Sequence, residues 1–243
     1  MRLRVTRIGL FLSLFSFATL THQAYAEVTA NLGLASNYTR EGISQTRGKL
    51  SASAGLTWLH NSGFYLGAWA ANLDRRNDHA YLEGAGFVGY YLPFNENIAL
   101  DLTATRYAFF GDKKAWYQDY NELGASLLLN DSWKFGYRVS ENYLDKDHSW
   151  HALDGSYTLH TDSFDFEFFV ARYLWQDADG LDGASYNYDK LGDRSNYWHF
   201  RIGAERTWNK WDYRLTVERT NLSHRFDGGT IIQFGMQRYF NLF

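Results

Sequence analysis

Along most of the chain, side chains alternate between apolar and polar with a period of two, in segment after segment of similar length. In "GKLSASAGLTWLH" the apolar Leu50, Ala52, Ala54, Leu56 and Trp58 alternate with Lys49, Ser51, Ser53 and Thr57. "NIALDLTATRY" sets Ile98, Leu100, Leu102 and Ala104 against Asp101, Thr103 and Thr105, and "SWKFGYRVSENY" sets Trp133, Phe135, Tyr137 and Val139 against Lys134, Arg138 and Ser140. "SFDFEFFVARYLW", "YWHFRIGAERTW" and "KWDYRLTVERT" follow the same rule. A helix would scatter these charges around its circumference, whereas a strand sends them all to one face. Strands are therefore expected near 28–38, 48–60, 63–74, 80–92, 97–108, 118–129, 132–143, 149–160, 163–175, 196–207, 210–221 and 229–241. In 63–74 and 80–92 the aromatics Trp69 and Phe87 fall on the wrong face, which leaves ten or fourteen strands open beside twelve.

Segments of 11 to 13 residues match what a tilted strand needs to cross a bilayer, roughly 9 to 11 residues plus the interfaces. Composition separates a membrane barrel from a soluble sandwich. The chain has 18 Tyr, 18 Phe, 9 Trp and 21 Gly with a single Pro, yet its mean hydropathy is negative. A barrel reconciles these values, since each strand shows one face to lipid and the other to a polar interior. The connections alternate in length, from "NSG", "PFNE", "ND", "TD" and "NK" to "TREGISQTR", "RRNDH", "FGDKKAWYQ", "LDKDH", "QDADGLDGASYNYDKLGDRS" and "SHRFDG". That is the pattern of periplasmic turns and extracellular loops. Aromatics at strand ends (Trp58, Tyr90, Tyr91, Trp133, Trp150, Trp175, Trp198, Trp208, Trp211, Tyr239, Phe240) suit interfacial girdles, and the chain ends in Phe243. The expected fold is all-β, a transmembrane antiparallel up-and-down barrel of twelve strands.

Residues 1–26 read as a cleaved signal peptide. "MRLRVTR" is basic, "IGLFLSLFSFATL" is an apolar run of 13, and Ala24 and Ala26 give a small-x-small cleavage site. Thirteen apolar residues fall short of the roughly 20 of a spanning helix, which points to Sec-type export and residues 27–243 as one barrel domain in the outer membrane of a Gram-negative bacterium. Loss of Arg2, Arg4 and Arg7 takes the basic residues from 24 to 21 against 27 acidic ones, a net of −6, so nucleic acid is not an expected partner. The absence of Cys excludes disulfides, thiolate metal sites and a thiol nucleophile.

By phase, the ionisable residues expected to line the lumen are Lys49, Glu83, Asp101, Glu122, Lys134, Arg138, Asp154, Asp165, Glu167, Arg201, Glu205, Asp212, Arg214 and Glu218, nine acids against five bases. Buried charge must be paired or hydrated. The expected function is a narrow porin-like channel for small hydrophilic solutes with a mildly acidic lumen. The alternative is a non-conducting structural or adhesion barrel sealed by its own salt bridges. Outer-membrane lipids, lipopolysaccharide and the assembly machinery of that membrane are the expected partners, and no cofactor is indicated.

The stretches "NYTREGISQT" and "SGFYLGAWAAN" resemble the Gcw_chp family of exported proteobacterial proteins, in which a Y-x-x-R-G-x-S-Q-T element precedes S-G-F-Y-x-G-x-W. The matching residues are Tyr38, Gly42, Ser44, Gln45 and Thr46, then Gly63, Phe64, Tyr65, Gly67 and Trp69, with Glu41 where the family usually carries Arg and Arg40 shifted one residue earlier. The resemblance implies an outer-membrane barrel and no established activity. The first stretch is expected to form the first extracellular loop.

Other candidates for chemistry are thinner. His60 and Ser62 form an H-x-S pair similar to that of outer-membrane phospholipases, but they fall at a turn without a third member, so a lipid hydrolase ranks behind both barrel readings. His148, His151, His160 and His199 lack metal-ligand spacing and read as interface or lumen residues. Asp177, Asp179 and Asp182 offer oxygen ligands to a hard cation without EF-hand spacing, and a solvated acidic loop is the plainer reading. Arg75, Arg76, Lys113 and Lys114 are candidates for contact with lipopolysaccharide phosphates.

Overall fold

A strand buried on one face by a polar interior and on the other by hydrocarbon must pair along both edges, because lipid offers no hydrogen bonds to its backbone. In a computed structural model, which describes residues 27–75, 79–112, 118–145, 149–176, 196–222 and 227–242, twelve strands meet that demand by closing on themselves. They are β1 (Glu27–Ala35), β4 (Ser51–Leu59), β5 (Phe64–Asn72), β6 (Leu82–Asn95), β7 (Ile98–Phe110), β8 (Tyr120–Leu129), β9 (Trp133–Ser140), β10 (Ser149–His160), β11 (Asp165–Gln176), β12 (Asn196–Trp208), β13 (Trp211–Thr220) and β14 (Thr230–Asn241). Two short strands, β2 (Thr39–Arg40) and β3 (Ile43–Ser44), form a separate hairpin. Every barrel strand is antiparallel to its chain neighbours, and β1 closes the ring by pairing with both β4 and β14. No helix of the described residues is long and apolar enough to cross a membrane.

The alternation lands as expected. Leu56, Leu102, Leu123, Phe135, Leu153, Phe168, Phe200, Ile202, Leu215 and Ile232 all point outward and are exposed, Ile232 by 67%. A continuous apolar girdle of this kind has no place on a soluble monomer, where contiguous patches rarely pass a few hundred Å². It is the lipid-facing surface. The start of β1, the end of β14 and the short turns share one end, and the strand ends that the long connections join share the other. The turn Asn209–Lys210 takes φ values of 50° and 67°, the primed geometry that matches strand twist in a two-residue hairpin.

The two badly phased segments have a packing reason. Trp69 points inward and meets Tyr38 edge-on at 5.7 Å. Phe87 also turns inward and covers Gly67, where an added Cβ would lie 2.3 Å from its ring. Tyr65 reciprocates by covering Gly89, so the rings of β5 and β6 each lie over a glycine of the other strand. Bare glycine backbone is thereby shielded by a neighbouring aromatic face. Two aromatics assigned to the girdles are corrected: Trp150 and Trp175 are buried inside the barrel. The reading of residues 1–26 as a leader falls outside the described residues.

Candidate functional site

The "NYTREGISQT" stretch joins β1 to β4 at the long-loop end, but it folds into the barrel instead of standing outside it. Glu41 and Gly42, with φ of 55° and 75°, form the two-residue turn of the β2–β3 hairpin, which explains a glycine at that place. A Cβ on Gly42 would sit 2.4 Å from Thr220 Cγ2 and 2.8 Å from His199 Cδ2, so the turn is pressed against β12 and β13. The base of the hairpin is tied by Asn37, whose Oδ1 accepts from Ser44 Oγ at 2.7 Å and Thr46 Oγ1 at 2.9 Å. Thr46 Oγ1 in turn accepts from the Tyr38 amide at 3.0 Å. The motif's hydroxyl and amide side chains thus build the loop itself.

Its other side chains reach the wall. Tyr38 donates to Glu83 Oε2 at 2.9 Å, and the Arg40 guanidinium bonds Glu83 and the Tyr120 hydroxyl while lying 4.0 Å from the Tyr107 ring centroid. Tyr143 donates to Glu41 Oε2 at 2.8 Å, and Tyr197 donates to the Glu41 carbonyl at 2.9 Å. Around the hairpin stands an aromatic collar in which Tyr143 and Trp150 stack at 4.8 Å, Tyr107 and Tyr120 at 4.9 Å, and Trp175 and Tyr197 at 5.6 Å. Burial pushes the Glu41 carboxyl above the usual carboxylate range, against the opposing pull of Arg40 and Arg138. Glu41 Oε1 has no hydrogen-bond partner, and Glu41 lines a void of about 10 Å³, room for one water.

Below the hairpin lies a polar cavity of about 140 Å³, enough for roughly ten waters. Of the residues expected to line the lumen, Glu83, Asp101, Glu122, Lys134, Arg138, Asp154, Glu167, Arg201 and Glu218 surround it. Most are paired across neighbouring strands. Arg138 reaches Glu122 at 3.4 Å and Asp154 at 3.8 Å. Glu167 accepts from Arg201 Nε at 3.0 Å and from Arg214, whose Nη1 lies 3.7 Å from Glu205. His199 Nε2 lies 3.0 Å from Glu218 Oε2. The remaining four of the inward set, Asp165, Glu205, Asp212 and Arg214, do not line the cavity, and Asp165 lies 2.8 Å from His160 Nδ1 at the short-turn end of β10. Lys49 is corrected: it precedes β4, is largely exposed, and pairs with Asp74 near the mouth. Lys49 and Arg47 together hold the Asp74 carboxyl below its usual range.

Phase alone missed Tyr38, Thr39, Arg40 and Glu41 as lining residues, because they belong to a connection and not to a strand. It also missed Trp69, Phe169 and Tyr173, although each shares parity with an inward carboxylate or inward tyrosine of its own strand or neighbour, whereas His199, read as an interface or lumen residue, does line the cavity. His60 Nδ1 and Ser62 Oγ are 2.9 Å apart, but Nδ1 also accepts from the Ser62 amide at 3.2 Å. The pair therefore closes its own exposed turn, and no carboxylate joins it among the described residues. Arg75 is buried against the Phe109 ring at 4.4 Å and bonds Gln118 Oε1 at 2.6 Å, so it does not offer its charge to an outer leaflet. Arg76, Lys113, Lys114, His148 and the Asp177, Asp179 and Asp182 loop lie outside the described residues, and no metal-ligand cluster occurs among those described.

The family model described as a bacterial protein of unknown function, Gcw_chp, matches residues 20–217. No curated protein matches the chain. Among solved structures, the NanC porin is similar with a TM-score of 0.54 at 10% identity, over 89% of this chain and 100% of that one. A KdgM porin described in complex with disordered oligogalacturonate is similar with a TM-score of 0.54 at 9% identity, over 88% and 99%. At these identities the likeness is one of fold, the porin barrel.

Proposed function

We propose a function from geometry, because the chain belongs to the Gcw_chp family and the description of that family assigns none. The protein is a narrow channel of the outer membrane for small hydrophilic solutes, not an enzyme. It reaches that membrane by Sec-type export and sits with termini and short turns in the periplasm and the hairpin at the outer mouth. The observation that carries this reading is the closed barrel with an apolar exterior and a water-sized, charge-lined interior. Seven carboxylates on the cavity wall (Glu41, Glu83, Asp101, Glu122, Asp154, Glu167, Glu218) face four permanent cations (Arg40, Lys134, Arg138, Arg201). Such a wall favours neutral and cationic solutes over anions, and speaks against a polyanion such as oligogalacturonate.

Single-channel recording in planar bilayers tests this, with Asp101→Ala expected to lower and Arg138→Ala to raise cation selectivity. Absence of reproducible conductance would defeat it. The collar packed around the hairpin favours a second reading, a barrel closed at rest. A chain silent as wild type that conducts once residues 39–44 are replaced by a short glycine link would establish that reading instead.

A further inference from the structure

The ionic groups around the cavity form matched sets. Glu83 holds Arg40, Glu122 and Asp154 share Arg138, and Glu167 holds Arg201, while Glu218 is satisfied by hydrogen bonds with His199 and Thr39. Two charged residues stand outside this scheme. Among the described residues, neither Asp101 nor Lys134 has an oppositely charged group within 4.0 Å. Asp101 Oδ1 accepts from the Tyr65 hydroxyl at 2.6 Å, a neutral donor, and Asp101 is nine-tenths buried. Lys134 makes no hydrogen bond to another described side chain, although both residues line the cavity.

Their placement is ordered by register. Asp101 of β7 stands opposite Ser126 of β8, and Ser126 stands opposite Gly136 of β9, two residues from Lys134. The carboxylate and the ammonium therefore flank one strand whose inward residue between them is a serine that also lines the cavity. Asp101 and Lys134 lie within electrostatic reach of each other, and Lys134 also of Glu167, but no pair closes to contact, which leaves room for an entering molecule to bridge the buried carboxylate and the half-buried ammonium. A lone cation would meet Asp101 but also Lys134, and a lone anion would meet Lys134 within a wall that is acidic overall. A molecule carrying both charges satisfies both groups by charge-assisted hydrogen bonds and brings no net charge into the barrel.

We propose that Asp101 and Lys134 form a two-point subsite for small zwitterions, Asp101 taking an ammonium and Lys134 a carboxylate, with Ser126 between them. The subsite rests on the channel reading only for the route by which solute arrives, since binding itself needs no conduction. The test uses the refolded full-length barrel in detergent, with glycine as probe and two near-isosteric relatives, glycinamide without the carboxylate and glycolate without the ammonium. Saturation-transfer NMR is expected to show glycine binding about tenfold more tightly than either relative. Asp101→Asn and Lys134→Met should each remove about a tenfold factor, while Lys134→Arg retains it. Heat-dependent gel mobility confirms that each variant is folded. Equal binding of the three probes, or glycine affinity unchanged in either neutral variant, overturns the subsite. Liposome swelling with erythritol separates this from the channel reading: glycine binding without erythritol entry keeps the subsite and removes the channel, and erythritol entry without glycine preference does the reverse.

Discussion

Single residues of the family motif carry geometric duties that can be broken one at a time. Gly42 combines a positive φ with a Cβ position already occupied by Thr220 and His199, so Gly42→Ala is expected to loosen the hairpin and to destabilise the fold by about 1–3 kcal/mol. The measurement is a midpoint shift in guanidinium, together with cleavage in residues 36–50 by a protease that leaves the wild type intact. Gly67→Ala should be as harmful for a different reason: its φ is ordinary, but Phe87 and the Leu56 carbonyl fill the space, the latter 2.5 Å from the new Cβ. A double change with Phe87→Leu should recover part of that loss, which would separate overpacking from backbone strain. The inward phase of Trp150 was legible, since it shares parity with Asp154 on β10, and so was that of Trp175 with Glu167 on β11. Strand-end position misled here. Above the hydrocarbon the outer surface meets water, so aromatics gain more by filling the interior.

At the scale of the element, the hairpin is where sequence and structure part. Its turn chemistry, Glu41 then Gly42, could be read from the sequence, but hairpins that stand out of a barrel and hairpins that fold into one share the same local code. The decision is made by residues far away in the chain: Glu83, Tyr143, Tyr197 and Glu218 receive its side chains and backbone. Glu41 then makes insertion sensitive to pH. Its pKa inside the barrel is raised by burial, with Glu122 adding to the rise and Arg40 and Arg138 opposing it. In water, outside the barrel, the carboxyl would titrate at its ordinary value. An acid with a raised pKa in the inserted state favours insertion at low pH, and that advantage fades as pH rises through the window between the two values. Proteolysis of residues 36–50, or conductance, is thus expected to increase as pH rises from about 4 toward neutrality. Glu41→Gln should abolish this dependence and hold the hairpin in across the range. A pH profile unchanged by Glu41→Gln would show that another group sets it.

For the whole molecule, the decisive matter is the solvent on the outside. Ile202 lies midway along β12, points outward and is 57% exposed. Were the exterior wet, Ile202→Arg would shift stability by no more than about 0.5 kcal/mol, as surface substitutions in soluble proteins do. In a bilayer the same guanidinium must sit near the midplane, and the expected loss is about 2–4 kcal/mol. Ile202→Leu, equal in volume, should be nearly silent in both settings. Reversible guanidinium unfolding from lipid vesicles and from short-chain detergent micelles makes the comparison direct, because micelles adapt around a charge more readily than a bilayer does. A penalty that grows from micelle to bilayer places β12 in hydrocarbon. The same substitution at Trp208, exposed by 64% where β12 meets its short turn, should then lose at most about 1 kcal/mol, since the penalty falls toward the interface. That gradient along one strand is the property that a lipid-solvated barrel has and a soluble one lacks.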